Sequence, residues 1–323
     1  MAGERSTVIV VTWQGGAHLA ACLDALAAQS RPHATVVVDN GSTDGTAELL
    51  AARAADLTVL RLPRNRGYAG GLAAALATGF STGLGTGLST VRTPFVAWLN
   101  DDTVPDRNWL GALEDALDDD PRAAAVAGPL IRPDGSIQST GVRLTDQGYG
   151  ADAPAGGPPA FGFCGGAALL RTGALADAGG VPAGFFCYYE DTDTAWRLRL
   201  AGWDIRRVDG VPVIHLHGAS SGLGSRAFHR WNERNRLLML VRCAPPGVAM
   251  REWARFAAIT VALPLRRLRG VGVPDEPNFA VSLRLRVLAE LLVRLPAALI
   301  ARIRIGRRAE VRRRAVWRAW SGR

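Results

Sequence analysis

An apolar run, Phe95-Val96-Ala97-Trp98-Leu99, breaks off at Asn100-Asp101-Asp102-Thr103. Its length and composition are those of a buried strand. A carboxylate pair set where such a strand emerges costs folding free energy unless something offsets the charge. Hard divalent cations that bridge phosphates favour oxygen ligands of this kind. Alone, the tripeptide reads equally well as a polar turn before the next helix. Three more polar clusters follow apolar segments elsewhere in the chain, and that recurrence restricts the fold to one that gathers strand ends.

Strand and helix patterns alternate. Residues 7–12 read as a buried strand and 17–29 as a helix with Leu19, Leu23 and Leu26 on one face. A strand over 34–38, a helix over 46–54, a strand over 57–62, the 95–99 strand and a helix over 108–117 follow. Such alternation argues for βαβ units and a parallel sheet. Residues 81–90 form a low-complexity linker of Gly, Ser, Thr and Leu, read as a surface insertion. A second half, from residue 123 to about 216, contains a Pro/Gly-rich loop at 151–160. From about Phe228 onward the pattern is helical and rich in Arg.

Charge divides the chain unevenly. Residues 251–323 hold 17 Arg against 5 acids, whereas the first 250 residues hold 21 Arg against 24 acids, and there is no Lys. Nucleic acid, an anionic bilayer or a solvated basic tail each suit that asymmetry. The body lacks the interleaving of aromatic and basic residues that nucleic acid would demand, so no nucleic acid is expected. Cys22, Cys164, Cys187 and Cys243 are widely separated and form no CxxC pair, which argues against a zinc knuckle or a disulfide framework and for a reducing cytosol. Polar residues 1–6 run straight into a strand, so no secretory leader is expected.

Four clusters carry chemistry. Asp39-Asn40-Gly41-Ser42-Thr43-Asp44-Gly45 ends the second strand, on the ligand-binding edge of an open α/β sheet, where Asp39 suits a nucleoside and the whole also suits a turn. Arg64-Asn65-Arg66-Gly67-Tyr68-Ala69-Gly70-Gly71 combines arginines with glycines that allow close backbone approach at a helix start. Phe185-Phe186-Cys187-Tyr188-Tyr189-Glu190-Asp191-Thr192-Asp193 reads as an aromatic strand delivering acids to a helix N-terminus. Val213-Ile214-His215-Leu216-His217 ends a strand with two imidazoles, of which one is expected to reach the acidic site. Gly162-Phe163-Cys164-Gly165-Gly166-Ala167 is a small-residue segment that also suits close helix–strand packing.

These motifs, in this order over roughly residues 6–240, resemble glycosyltransferase family 2, the inverting nucleotide-sugar transferases of the GT-A type, and most of all its bacterial rhamnosyltransferases. The resemblance implies an α/β fold: a GT-A, Rossmann-like mixed sheet flanked by helices, with a C-terminal helical basic extension. It divides the chain into a nucleotide-sugar half (1–105), an acceptor and catalytic half (106–240) and the Arg-rich extension (241–323). It implies Thr12, Asp39, Asn40, Ser42, Asn65, Gly67, Asn100 and Asp101 at the donor, and Asp102 with His215 on Mg2+ or Mn2+. Cys164, Gly165 and Gly166 would face the acceptor, with Asp191 as base beside Glu190. The donor would be dTDP-rhamnose, with a UDP-hexose as alternative, and the acceptor a cell-envelope glycan or a polyprenyl-diphosphate-linked sugar. A non-catalytic binder of sugar nucleotide or nucleic acid is the further alternative. Two departures stand out: Leu72-Ala73-Ala74-Ala75 lacks the Asn common in relatives, and no processive Gln-x-x-Arg-Trp motif is visible.

The stretch Phe256–Leu265 is too short for the roughly 20 residues needed to cross a bilayer. Over 283–320 Arg alternates with Leu, Val, Ile and Trp at about helical spacing, a pattern suited to an anionic headgroup plane. The expectation is attachment of residues 283–323 to the inner face of the cell membrane.

Overall fold

The structure is a computed structural model that describes residues 3–80, 91–216, 222 and 224–322. The linker expected at 81–90 and His217 lie outside the described residues. The first half runs β1 (Ser6–Thr12), α1 (Leu19–Ala27), β2 (Ala34–Asp39), α2 (Thr46–Ala51), β3 (Thr58–Arg61), α3 (Gly67–Phe80) and β4 (Phe95–Asn100). Strands β1, β2, β3 and β4 are parallel, and β1 and β4 are buried along nearly their whole length, as their unbroken Val/Ile/Leu runs require. In-register pairs Thr12–Asp39 and Val11–Asn100 bring three strand ends to one edge.

Beyond β4 come β5 (Thr103–Pro105), α4 (Trp109–Asp119), β6 (Ala123–Ala127), β7 (Leu130–Ile131), β8 (Ile137–Ser139), β9 (Val142–Leu144), β10 (Gly150–Asp152) and β11 (Ala167–Arg171). Then follow α5 (Thr172–Asp177), α6 (Glu190–Leu200), β12 (Asp204–Arg207) and β13 (Val213–His215). Strand β11 inserts antiparallel between β4 and β6, so among the described residues a seven-stranded mixed sheet results, ordered β12-β6-β11-β4-β1-β2-β3. A small second sheet, β5-β13-β7-β8, sits at the end of β4.

Four helices close the chain: α7 (Arg226–Cys243), α8 (Pro246–Leu268), α9 (Val281–Arg308) and α10 (Arg313–Trp320). They are part of the body. Trp317 of α10 stacks on Trp196 of α6 with centroids 5.8 Å apart, Arg199 lies 4.1 Å over the Trp320 ring, and Val316 is buried. The 283–320 stretch therefore divides: α10 docks against α6, whereas α9 and its neighbour α8 keep long exposed faces.

One local expectation is overturned. The aromatic segment before Glu190 is not a strand but a 3-10 turn, Ala183–Phe185, followed by Phe186, Tyr188 and Tyr189 at φ of 69°, 70° and 71°. Side chains in that left-handed region cost roughly 1–2 kcal/mol each. Buried Asn235 of α7 offsets this by donating from Nδ2 toward the carbonyls of Phe185 (2.9 Å), Cys187 (2.8 Å) and Tyr188 (2.8 Å). Arg234 adds a 2.6 Å bond to the Phe185 carbonyl. The acids consequently form the first turn of α6, which begins at Glu190 and not after it.

Candidate active site

The turn after β4 is closed by the Thr103 hydroxyl, which donates to the Asn100 carbonyl at 2.6 Å. Strand β5 then pairs antiparallel with β13 so that His215 stands opposite Thr103, and the Leu216 N–H donates to the Asp102 carbonyl at 3.1 Å. This register brings His215 to Asp102 across more than a hundred residues. Nε2 of His215 lies 3.2 Å from Asp102 Oδ1 and 3.2 Å from Asn100 Nδ2, while Nδ1 faces Gln138 Oε1 at 3.1 Å. With Nδ1 anchored on Gln138, Nε2 and the Asp102 carboxylate share one position, which a proton or a cation can occupy. Burial pushes the Asp102 carboxyl up, but the hydrogen bond and charge of His215 outweigh it and hold the group below its ordinary range.

Asp101 turns the other way. Its Oδ2 lies 3.3 Å from Nε2 of His18, and that contact raises the His18 imidazole against the opposing effect of burial. Adjacent carboxylates thus take separate imidazoles. Among the described residues no three of His, Cys, Asp and Glu converge on a metal position. Asp102 and His215, an oxygen and a nitrogen donor 3.2 Å apart, are the residues that would hold a divalent cation here.

A cavity of about 500 Å³ opens at this edge. Asn40, Asn65, Gly67, Asn100, Asp101, Asp102 and His215 line it together with Cys164, Gly165, Gly166, Glu190 and Asp191. Thr12, Asp39 and Ser42 do not line it; they are buried beside it. Asp39 Oδ1 accepts from the Ser42 N–H at 2.9 Å, Ser42 Oγ accepts from the Gln14 N–H at 3.0 Å, and the Thr12 hydroxyl has no hydrogen-bond partner. Asn40 grips the next motif: its Oδ1 accepts from the Arg66 N–H and its Nδ2 donates to the Gly67 carbonyl. Gly67 sits at φ +73°, where a Cβ would meet the Phe186 carbonyl oxygen at 2.1 Å. Glycine is obligatory there.

The three acids of α6 have three different environments. Asp193 is fully buried between Arg197 (2.7 Å) and Arg242 (2.7 Å) and ties α6 to α7. Asp191 faces the cavity. Its Oδ2 accepts from the Gly165 N–H at 2.9 Å, and its Oδ1 accepts from the N–H and hydroxyl of Thr192. Burial raises its pKa and these donors partly oppose the rise. Glu190 has a buried, unpartnered Oε2, and burial followed by the charge of Asp191 pushes it up to about 8. Both carboxyls are thus raised, by unequal surroundings, and neighbouring acids held in different environments suit acid–base work.

Several lining residues carry no motif signal. Gln138 and Asp152 come from the second half, and Trp231 and Ala227 from the first turns of α7. Trp13, which has no distinctive spacing, stands at the cavity, and Tyr68 donates to the Gly165 carbonyl at 2.6 Å.

A family model described as "Glycosyl transferase family 2" matches residues 7–179. The chain belongs to glycosyl transferase family 2. It is 31% identical over 245 residues to the N-acetylglucosaminyl-diphospho-decaprenol L-rhamnosyltransferase of Mycobacterium tuberculosis, covering 67% of this chain and 77% of that protein. By sequence it is thus a rhamnosyltransferase-like member of the family and a glycosyltransferase. Among solved structures it is similar to GalNAc-T7 with UDP, GalNAc and Mn2+ (TM-score 0.61, 14% identity), spanning 91% of this chain and 57% of that one. Staphylococcus aureus TarS 1–349 in complex with UDP-GlcNAc is similar over 98% of this chain and 91% of its own (TM-score 0.52, 18% identity). The GT-A-type mixed sheet expected of this family 2 glycosyltransferase is the one it has.

Proposed function

We propose that this glycosyltransferase adds a single rhamnosyl residue from dTDP-rhamnose, with inversion, to a polyprenyl-diphosphate-linked N-acetylglucosamine acceptor at the inner face of the cell membrane. The observation that carries the reading is one cavity lined by both the Asp102–His215 pair and Asp191. The 31% identity to a rhamnosyltransferase with a decaprenyl-diphosphate acceptor supports the sugar and the acceptor class.

In this reading residues 1–105 hold the donor, 106–240 the acceptor and base, and 241–323 the extension. Thr12 and Asp39, buried beside the cavity, would support the nucleoside end from behind its lining, and Asn65, Gly67 and Asn100 line the path of the diphosphate. Asp102 and His215 would hold Mg2+ or Mn2+, which when bound neutralises charge on the departing nucleotide. Asp191 removes the acceptor proton as the hydroxyl oxygen attacks the anomeric carbon, and its burial makes it a stronger base than a solvated aspartate. Glu190, pushed up to about 8 by burial and by Asp191, favours a proton over a second negative charge beside the base. Gly165 leaves room: a Cβ there would stand 3.2 Å from Asp191 Cβ.

The test is transfer and thermal shift with dTDP-rhamnose, UDP-hexoses and GDP-mannose, each with and without Mn2+ or Mg2+. Selective stabilisation by dTDP-rhamnose plus metal, with transfer to a lipid-linked N-acetylglucosamine, is expected. Turnover of a UDP-hexose in its place overturns the donor assignment, and binding without turnover overturns catalysis. Asp102→Ala is expected to lose metal-dependent donor stabilisation.

A further inference from the structure

Helices α8 and α9 each bury one face and leave the other in solvent. On α8 the buried face is Ala249, Glu252, Phe256, Thr260 and Leu263. Its exposed side repeats at three- and four-residue steps through Met250, Ala254, Ala258, Val261, Leu265 and Leu268, all apolar, with Val261 71% and Leu268 84% exposed. On α9 the exposed side runs through Leu285, Ala289, Leu292, Val293, Leu299 and Ile303, with Val293 77% exposed. Isolated exposed leucines need no explanation, but two such stripes, each about five turns long, do. The hydroxyl of Thr260 and the ring of Phe256 on α8 both contact Arg284 of α9, so the helices are neighbours.

Charge selects what covers them. Each helix contains one acid, and both acids are already held: Glu252 by Arg236 and Arg251, Glu290 by Arg230, Arg234 and Arg286. Exposed Arg255, Arg266, Arg269, Arg304 and Arg307 accompany the apolar stripes. A second copy of this surface would bring arginine against arginine. A layer that offers hydrocarbon beneath phosphate satisfies both parts, because arginine stems lie along the apolar region while the guanidinium groups reach the headgroups. Among the described residues no helix is long and apolar enough to cross a membrane.

We propose that the outward faces of α8 and α9 form a docking surface that lies in the headgroup plane of an anionic lipid bilayer. The surface connects to the cavity through α7. Ala227 and Trp231 line the cavity, and on the same helix Arg230 and Arg234 grip Glu290 of α9 at 2.5 and 3.0 Å. A seated α8–α9 pair therefore sets α7, one cavity wall, at a defined place relative to the lipid. The proposal rests on the transferase reading only for its purpose, which is to meet a lipid-linked acceptor; the docking itself is independent of it.

The experiment uses the full chain with vesicles of phosphatidylcholine alone or mixed with phosphatidylglycerol. The parent chain is expected to sediment with the mixed vesicles, less so at high salt. Two variants, Val261→Asp with Leu268→Asp and Leu292→Asp with Val293→Asp, are each expected to weaken that binding at least about tenfold. Arg266→Gln with Arg304→Gln is expected to weaken it selectively for the anionic vesicles. Melting temperature and circular dichroism establish that each variant is folded, and nucleotide release from dTDP-rhamnose reads the transferase separately. Parent-level vesicle binding by both folded Asp pairs overturns the proposal. So does absence of parent binding, or self-association of the parent that the Asp pairs abolish without any vesicle binding.

Discussion

The side-chain amide of Asn235 sits 2.8 Å from the carbonyl oxygen of Tyr188, two residues before Glu190. It also reaches the Phe185 and Cys187 carbonyls, so one buried amide on α7 holds the left-handed path that aims Asp191 at the cavity. Asn235→Ala removes the donors that offset three left-handed side chains. We expect turnover to fall about a hundredfold with a smaller rise in donor KM, since a base displaced by about 1 Å loses its geometry while the donor side meets this segment through Phe186 at Gly67 and Ala69. Asn235→Asp should be worse, because a carboxylate faces three carbonyl oxygens. Steady-state kinetics of both variants check this, and equal effects on KM and kcat would contradict it.

In the proposed mechanism Asp191 takes the acceptor proton. Asp191→Asn keeps the size of the side chain and an oxygen to accept from Gly165, yet it removes the basic site. A loss of about 10²–10⁴-fold in kcat is expected, with donor affinity by calorimetry unchanged. The parent rate should rise with pH through a value above the ordinary 3.8 of an aspartate, because burial raises this group. In the variant that limb should be missing. A persistent limb assigns the base elsewhere.

How much of this was legible in the residues depends on the range of the interactions. Apolar strands that end in oxygen ligands announce their shared edge, because burial and polarity change sign within one or two residues, as at Leu99–Asn100. The roles within that edge are not so marked. Asp191 and Asp193 are two residues apart on one helix, and only the tertiary position of Arg242 makes one structural and leaves the other facing the cavity. The pairing of β5 with β13 is a long-range register, so Gln138 and the orientation of His215 left no local trace. The strand pattern over 185–189 misleads for the same reason: aromatic residues with β preference are overridden by a side chain fifty residues on.

Glu190 makes stability depend on pH in an unusual direction. Its folded value is about 8 against an ordinary 4.5, so the folded state keeps a proton that the unfolded chain has released. Stability from this group is complete below the ordinary value and is lost as pH rises through the window up to about 8. Glu190→Gln removes the dependence. Urea midpoints of parent and variant should diverge in favour of the variant between pH about 5 and about 8, by at most about 1.4 kcal/mol per pH unit. A constant gap across that range would show that Glu190 is ionised in the fold.

Asp193 is the opposite case. Burial raises its carboxyl, but Arg242 and then Arg197 outweigh that and set it below the ordinary 3.8, so its contribution is present above that value and is lost as pH falls through the folded one. Removing one partner of a buried pair leaves an uncompensated charge, at a cost of about 3–5 kcal/mol. Asp193→Asn strands Arg197, which is almost fully buried, and Arg242 together, so it should approach the upper figure and weaken the parent's acid sensitivity. Arg242→Met should cost less, because Arg197 continues to neutralise the carboxylate and the Arg242 side chain retains some exposure. Urea unfolding at neutral pH ranks the two, and the reverse order would mean that Arg242, not Asp193, is the charge that holds α6 to α7.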